Sequence, residues 1–142
     1  MCVFCSILKG EEPAFIVYRD DKFTAFLDKY PVAPGHTLIV TNEHFDDILN
    51  VSDDYLRDLG VVLKRLGTAV KEALKADGMR VVSNVGRSAG QVVFHVHIHL
   101  IPTWERQLDD FRPRRELQRE RGKEITEVIR RTYELLYGKS ST

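Results

Sequence analysis

Three histidines at alternate positions, His95, His97 and His99, stand within the run Gly90–Pro102. Side chains on an extended strand alternate faces with a period of two. One face therefore carries all three imidazoles, and the other carries Val96, Ile98 and Leu100. The aliphatic face is core. Three neighbouring polar rings need hydrogen-bond partners or water, so the opposite face is not simply a packing surface. Imidazole changes protonation near neutral pH, ligates metals and attacks as a nucleophile. A second chemical feature is Cys2-x2-Cys5, and the chain has no other cysteine. That spacing suits a metal knuckle or a redox pair. A redox pair is expected between a strand and a helix of a βαβ unit, not at residue two. Zinc takes four ligands, so two more would come from histidines elsewhere.

These groups have to be positioned by strands and helices. Phe15–Tyr18 and Phe23–Leu27 are short apolar runs around the turn-forming Arg19-Asp20-Asp21, which predicts a hairpin. Pro31 to Gly35 breaks the chain, and His36–Thr41 follows as a third strand. Ser52 is a suitable N-cap, with Asp53 and Asp54 in the first turn where the helix dipole favours acids. Leu56, Leu59, Leu63, Leu66, Val70 and Leu74 follow at helical spacing, with Gly78 as the expected terminator after Asp77. Met79–Ser83 reads as a fourth strand, Asn84–Gly90 as a small-residue loop and Gln91–Ile101 as the fifth strand. The last two strands would form an antiparallel hairpin that carries the histidines. Past Pro113, Glu116–Tyr137 reads as a charged helix with Ile125, Val128, Ile129, Leu135 and Leu136 on one side. Lys139–Thr142 should fray. No repeat or low-complexity linker interrupts the chain.

The 142 residues suit one domain with a core that needs no staples. The 21 basic and 21 acidic residues cancel, leaving no global field to recruit nucleic acid or an anionic membrane. No apolar run approaches the roughly 18–20 residues of a membrane span. The first ten residues turn polar too soon for a secretory signal, so a cytoplasmic setting is expected.

The chain resembles the histidine-triad (HIT) family, whose motif is His-x-His-x-His followed by two apolar residues. The similarity runs from Cys2 to about Pro102. It includes Cys2-x2-Cys5, Ala25-Phe-Leu-Asp28, Pro31-Val-Ala-Pro-Gly-His36, the Asn84 loop and Ala89-Gly-Gln91. The resemblance implies an α+β fold, a five-stranded antiparallel sheet with helices packed on one face, usually paired into a homodimer. Residues 1–105 would be the HIT core. Residues 106–142 would be a C-terminal extension with a charged helix, part of the same domain.

By the same resemblance, His97 attacks the α-phosphorus of a nucleotide and forms a nucleotidyl-histidine intermediate that water hydrolyses. Imidazole is neutral at pH 7 without an extreme pKa shift, which suits it to this role. His99 would donate to non-bridging phosphate oxygens, helped by main-chain N–H groups around Gly90. His36 would support the triad from the adjacent strand, and Asp28 would accept the ribose hydroxyls. Asn84 and Gln91 would lie at the phosphate. A structural zinc would be held by Cys2, Cys5, His44 and His95, pinning the N-terminus to the catalytic strand. The expected partner is a purine nucleotide of adenosine type, carrying a phosphoramidate, a second nucleotide or a related leaving group. One departure stands out: Val92 occupies a position where many members carry Ser or Thr, so a donor near the scissile bond is missing.

Two other function classes remain open. The three histidines could form an open catalytic zinc site that activates water, although that leaves Cys2-x2-Cys5 and His36 unexplained. The chain could also be a non-catalytic nucleotide-binding or partner-binding module using the arginines from Arg112 to Arg121. Glu116, Glu120 and Glu124 intersperse those arginines, which favours a solvated helix face over an RNA contact.

Overall fold

The computed structural model describes residues 2–106 and 114–139. Its elements, in chain order, are α1 (Val3–Leu8), β1 (Ile16–Arg19), β2 (Phe23–Leu27), β3 (Thr37–Thr41), α2 (Asp53–Ala73), β4 (Gly78–Val82), β5 (His97–Thr103) and α3 (Arg119–Tyr137). The five strands form one antiparallel sheet in the order β1-β2-β3-β5-β4. This is the architecture the sequence predicts.

Strand periodicity sorts the sheet into two unlike faces. Phe23, Ala25, Leu27, Ile39, Ile98 and Leu100 point to one side. There they meet Leu59, Val62, Leu66, Ala69 and Val70 of α2, and Ile125, Ile129 and Tyr133 of α3. The other side carries Phe26, Leu38 and Val40 under Phe4 and Ile7 of α1. The register sets Leu38 opposite His99 and Val40 opposite His97, so the histidines continue this second face. Both long helices pack on one side, as expected. The short α1, which the sequence reading left without structure, covers part of the other.

Several boundaries differ from expectation, each for a local reason. The fifth strand begins at His97 rather than Gln91. Residues 91–96 instead form an irregular approach, held where Val96 N–H donates to the Phe45 carbonyl at 2.7 Å. Helix α2 stops at Ala73, before the expected end, with Lys75 in the left-handed region (φ 54°). Gly78 opens β4 rather than ending α2. Ser52 does occupy the N-cap position, without a side-chain capping bond. On α3, Ile125, Ile129 and Tyr133 are buried at i, i+4, i+8 spacing, whereas Leu135 and Leu136 face solvent. The expected apolar stripe therefore ends a turn early. Arg112 and residues 140–142 lie outside the described residues.

Candidate active site

The second face gathers four of the five histidines around β5, and His36 enters from the start of β3. Gly35 makes that entry possible. It has φ +85°, and a Cβ there would come within 2.3 Å of Leu74 Cδ1, so only glycine lets the chain turn against α2 at this point. His36 then lies fully buried, its backbone tied to the end of β2 by Asp28 N–H donating to its carbonyl at 2.9 Å.

Hydrogen-bond bookkeeping assigns a tautomer to each ring. Val32 N–H donates to His36 Nδ1 at 3.0 Å, so the proton of His36 sits on Nε2. That N–H faces His99 Nδ1 at 2.9 Å, with Asp28 Oδ2 at 3.5 Å. His99 must then carry its own proton on Nε2, free to donate outward. His97 Nδ1–H donates to the His95 carbonyl at 2.8 Å, which leaves the Nε2 lone pair of His97 available. One strand thus presents a nucleophilic nitrogen and, two residues on, an N–H donor on the same face.

Burial keeps these rings neutral. It pushes His36 down to about 4, with the Asp28 carboxylate opposing the shift and His99 reinforcing it. His97 and His99 are also lowered from the ordinary histidine value, first by burial. A lowered pKa preserves the free base of His97 at neutral pH. Phe4 of α1 stands edge-on to the His97 ring, with centroids 5.0 Å apart, and closes this side against water.

His95 belongs to a different cluster. Its Nε2–H donates to the Thr41 carbonyl at 2.7 Å, so its Nδ1 lone pair faces Cys2 Sγ at 3.3 Å and Cys5 Sγ at 3.5 Å. His44 repeats the arrangement: Nε2–H donates to Asp46 Oδ1 at 3.1 Å, and Nδ1 faces Cys5 Sγ at 3.4 Å. The four ligand atoms of Cys2, Cys5, His44 and His95 lie within 4.8 Å of one another. Burial, helped by Cys2, raises the Cys5 thiol above its ordinary value. Two sulfurs and two imidazole lone pairs this close together are a donor set suited to a tetrahedral cation, which would turn the thiols into thiolates.

Asp28 Oδ1 accepts Tyr30 N–H at 2.8 Å, while Oδ2 faces His36 and the guanidinium of Arg114 at 3.3 Å. Asn84 follows β4, and continuing the register past Val82 brings it level with His97. Ser83 Oγ marks the same spot by donating to the His97 carbonyl at 2.8 Å. Gln91 is buried and its amide serves the loop. Oε1 accepts Gly86 N–H at 2.8 Å, and Nε2 donates to the carbonyls of Asp46 and Val93. The N–H groups of Ala89, Gly90 and Gln91 bond inside the turn, to Gly86 and Arg87, and so are not free for a ligand. Val92 is 86% exposed.

The open zinc site considered for the three histidines does not match this geometry. His95 joins the cysteines, His99 bonds to His36, and His97 bonds to its own backbone. The sequence places Arg114 only among the arginines of a solvated stretch, far from any motif, and gives Phe4 no role because α1 was not foreseen. The i, i+3 spacing of Phe4 and Ile7 was the available signal for α1.

Comparison with known proteins agrees with this geometry. The HIT domain family matches residues 9–106, a span that leaves out Cys2, Cys5 and all of α3. The crystal structure of a hypothetical histidine triad nucleotide-binding protein from Sulfolobus tokodaii is similar at 44% identity and TM-score 0.90, over 96% of this chain and 97% of that one. A Zn-bound histidine triad family protein from Mycobacterium smegmatis is similar at 34% identity and TM-score 0.84, over 95% and 94%. An adenosine 5′-monophosphoramidase from Candida albicans is 43% identical over 105 residues, covering 71% of this chain and 69% of that protein. The triad at and just before the start of β5, its contact with His36 and the match over residues 9–106 place this chain in the HIT domain family.

Proposed function

We propose that the protein hydrolyses nucleoside phosphoramidates, dinucleoside polyphosphates or related conjugates at the α-phosphate through a nucleotidyl-His97 intermediate. The observation that carries this reading is the tautomer order on β5: a free Nε2 lone pair on His97 beside a free Nε2–H on His99. The lone pair attacks phosphorus as the bond to the leaving group breaks. His99 donates to a non-bridging oxygen, and His36 holds His99 in the donating tautomer. Water then cleaves the P–N bond to His97 and releases the nucleoside monophosphate; an alternative acceptor would make the enzyme a transferase.

Asp28 accepts the ribose diol, Asn84 approaches the phosphate from beside His97, and Gln91 shapes the loop between them. An adenosine-type base is supported by the phosphoramidase relative. Zn(II) is held by Cys2, Cys5, His44 and His95. It supplies folding free energy to the N-terminal region rather than a catalytic electrophile, a reading supported by the clustered donors and the Zn-bound relative. A reducing, cytoplasmic compartment keeps both thiols available as ligands. A homodimer fits β4, the sheet edge on which Val81 is half exposed.

The test is a hydrolysis panel of adenosine phosphoramidates, diadenosine polyphosphates and nucleotide sugars. Turnover should survive removal of adventitious metal and vanish in His97→Ala. Turnover that survives in His97→Ala, or that depends on metal added beyond one zinc per chain, would overturn the reading.

A further inference from the structure

The family match ends at residue 106, yet the segment leading into α3 returns to the site. Arg114 Nε donates to the Tyr30 carbonyl at 2.6 Å, and its Nη2 lies 3.3 Å from Asp28 Oδ2. Leu117 N–H donates to the Lys29 carbonyl at 2.7 Å, and Glu116 lies 3.8 Å from Lys29 Nζ. Each residue of the turn Asp28-Lys29-Tyr30 is therefore held by a contact from residues 114–117. The side chain of Asp28 is 16% exposed and that of Arg114 is 50% exposed, so the pair sits at the rim, where the guanidinium reaches inward to a largely buried carboxylate.

We propose that Arg114 is a positioning residue for Asp28. It clamps the Asp28–Tyr30 turn and turns the carboxylate to receive the ribose diol, so that the nucleotide site is completed by the C-terminal segment.

The chemistry follows from the fork of the guanidinium. Arginine presents N–H groups in a fixed plane, so a single side chain fixes both a backbone carbonyl and a carboxylate two residues apart. Tyr30 N–H already holds Oδ1. With Oδ2 fixed by Arg114, the carboxylate plane is set, and each oxygen retains a lone pair for a hydroxyl. The cation also offsets a carboxylate that stands 3.5 Å from the buried His36. Lysine could supply the charge but not the two-point geometry.

This inference rests on Asp28 as the ribose acceptor, and its test separates the two. Binding of AMP and 2′-deoxy-AMP is measured by calorimetry on the full chain for wild type, R114A and R114K, alongside kcat and KM for a phosphoramidate substrate. R114A should weaken AMP about three- to tenfold, the range of one ordinary net hydrogen bond, because Arg114 acts through Asp28 rather than on the nucleotide, while 2′-deoxy-AMP barely changes. KM should rise with kcat nearly constant, and R114K should recover only part of the loss. Arg114 is half exposed, so the variants are expected to fold, and an unchanged melting temperature checks this. If wild type binds the two nucleotides equally, the Asp28 reading fails and this inference falls with it. If wild type discriminates but R114A still does so to the same degree, only the Arg114 role fails. Tighter AMP binding in R114A would make the arginine an occluding strap and overturn the proposal.

Discussion

His36 is the residue on which the site's protonation balance turns. It is 1% exposed, accepts from Val32, donates to His99 and titrates at about 4. Between pH 6.5 and about 4 the unfolded chain binds a proton at this position and the folded chain does not. Stability is therefore full above 6.5 and is lost as pH falls through that window. Each pH unit of the window amounts to about 1.4 kcal/mol. Denaturant titrations of His36→Leu should show a shallower acid loss than wild type, whatever the variant's stability at pH 8. Parallel curves would contradict the assignment. At the same scale, Asp28→Ala should raise KM for ribonucleotides several-fold more than for 2′-deoxy analogues. Equal losses would make Asp28 purely structural. The alternating histidines and Cys2-x2-Cys5 were legible because period-two alternation and short motifs are local signals, whereas His36 and the pairing of His44 and His95 with the cysteines were implied only by the resemblance to the HIT family. Arg114 was not legible, since 84 residues separate it from the Tyr30 carbonyl it holds and only tertiary docking pairs them.

At the level of elements, α1 is the least self-sufficient part of the fold. It has six residues, too few to hold a helix in isolation. Its support comes from Phe4 and Ile7 packed on Phe26, Leu38 and Val40, and from Cys2 and Cys5 beside His44 and His95. Chelation should therefore lower the melting temperature and raise amide exchange first in residues 2–8, while the sheet stays protected. Because Phe4 touches His97, activity should fall with the loosening of α1 rather than with metal loss as such. Uniform exchange across the sheet after chelation would contradict a metal that pins only this element. Helices α2 and α3 were readable from their apolar periodicity. Their ends were not, because α2 terminates through a left-handed Lys75 and the last turn of α3 leaves Leu135 and Leu136 in solvent. The start of β5 was misplaced for a related reason: residues 91–96 have the β-branched and aromatic composition of a strand but bond to the Phe45–Asp46 loop rather than to β4.

For the whole molecule, the sheet separates a chemical face from a structural one, and α3 joins the two. Ile129 is fully buried against the core, and the segment before α3 carries Arg114 to Asp28. Ile129→Ala should cost about 2–5 kcal/mol of stability, read as a shifted denaturant midpoint with an unchanged slope. A loss below 1 kcal/mol would show that α3 is not anchored through this residue. The most direct test of the account concerns the reaction itself. Substrate is mixed with enzyme, quenched within milliseconds, and the protein is digested and sequenced by mass spectrometry. A nucleoside monophosphate attached to His97 alone, formed and lost at rates compatible with turnover, is the predicted result. Turnover with no adduct under any quench condition, or an adduct on another residue, would contradict it.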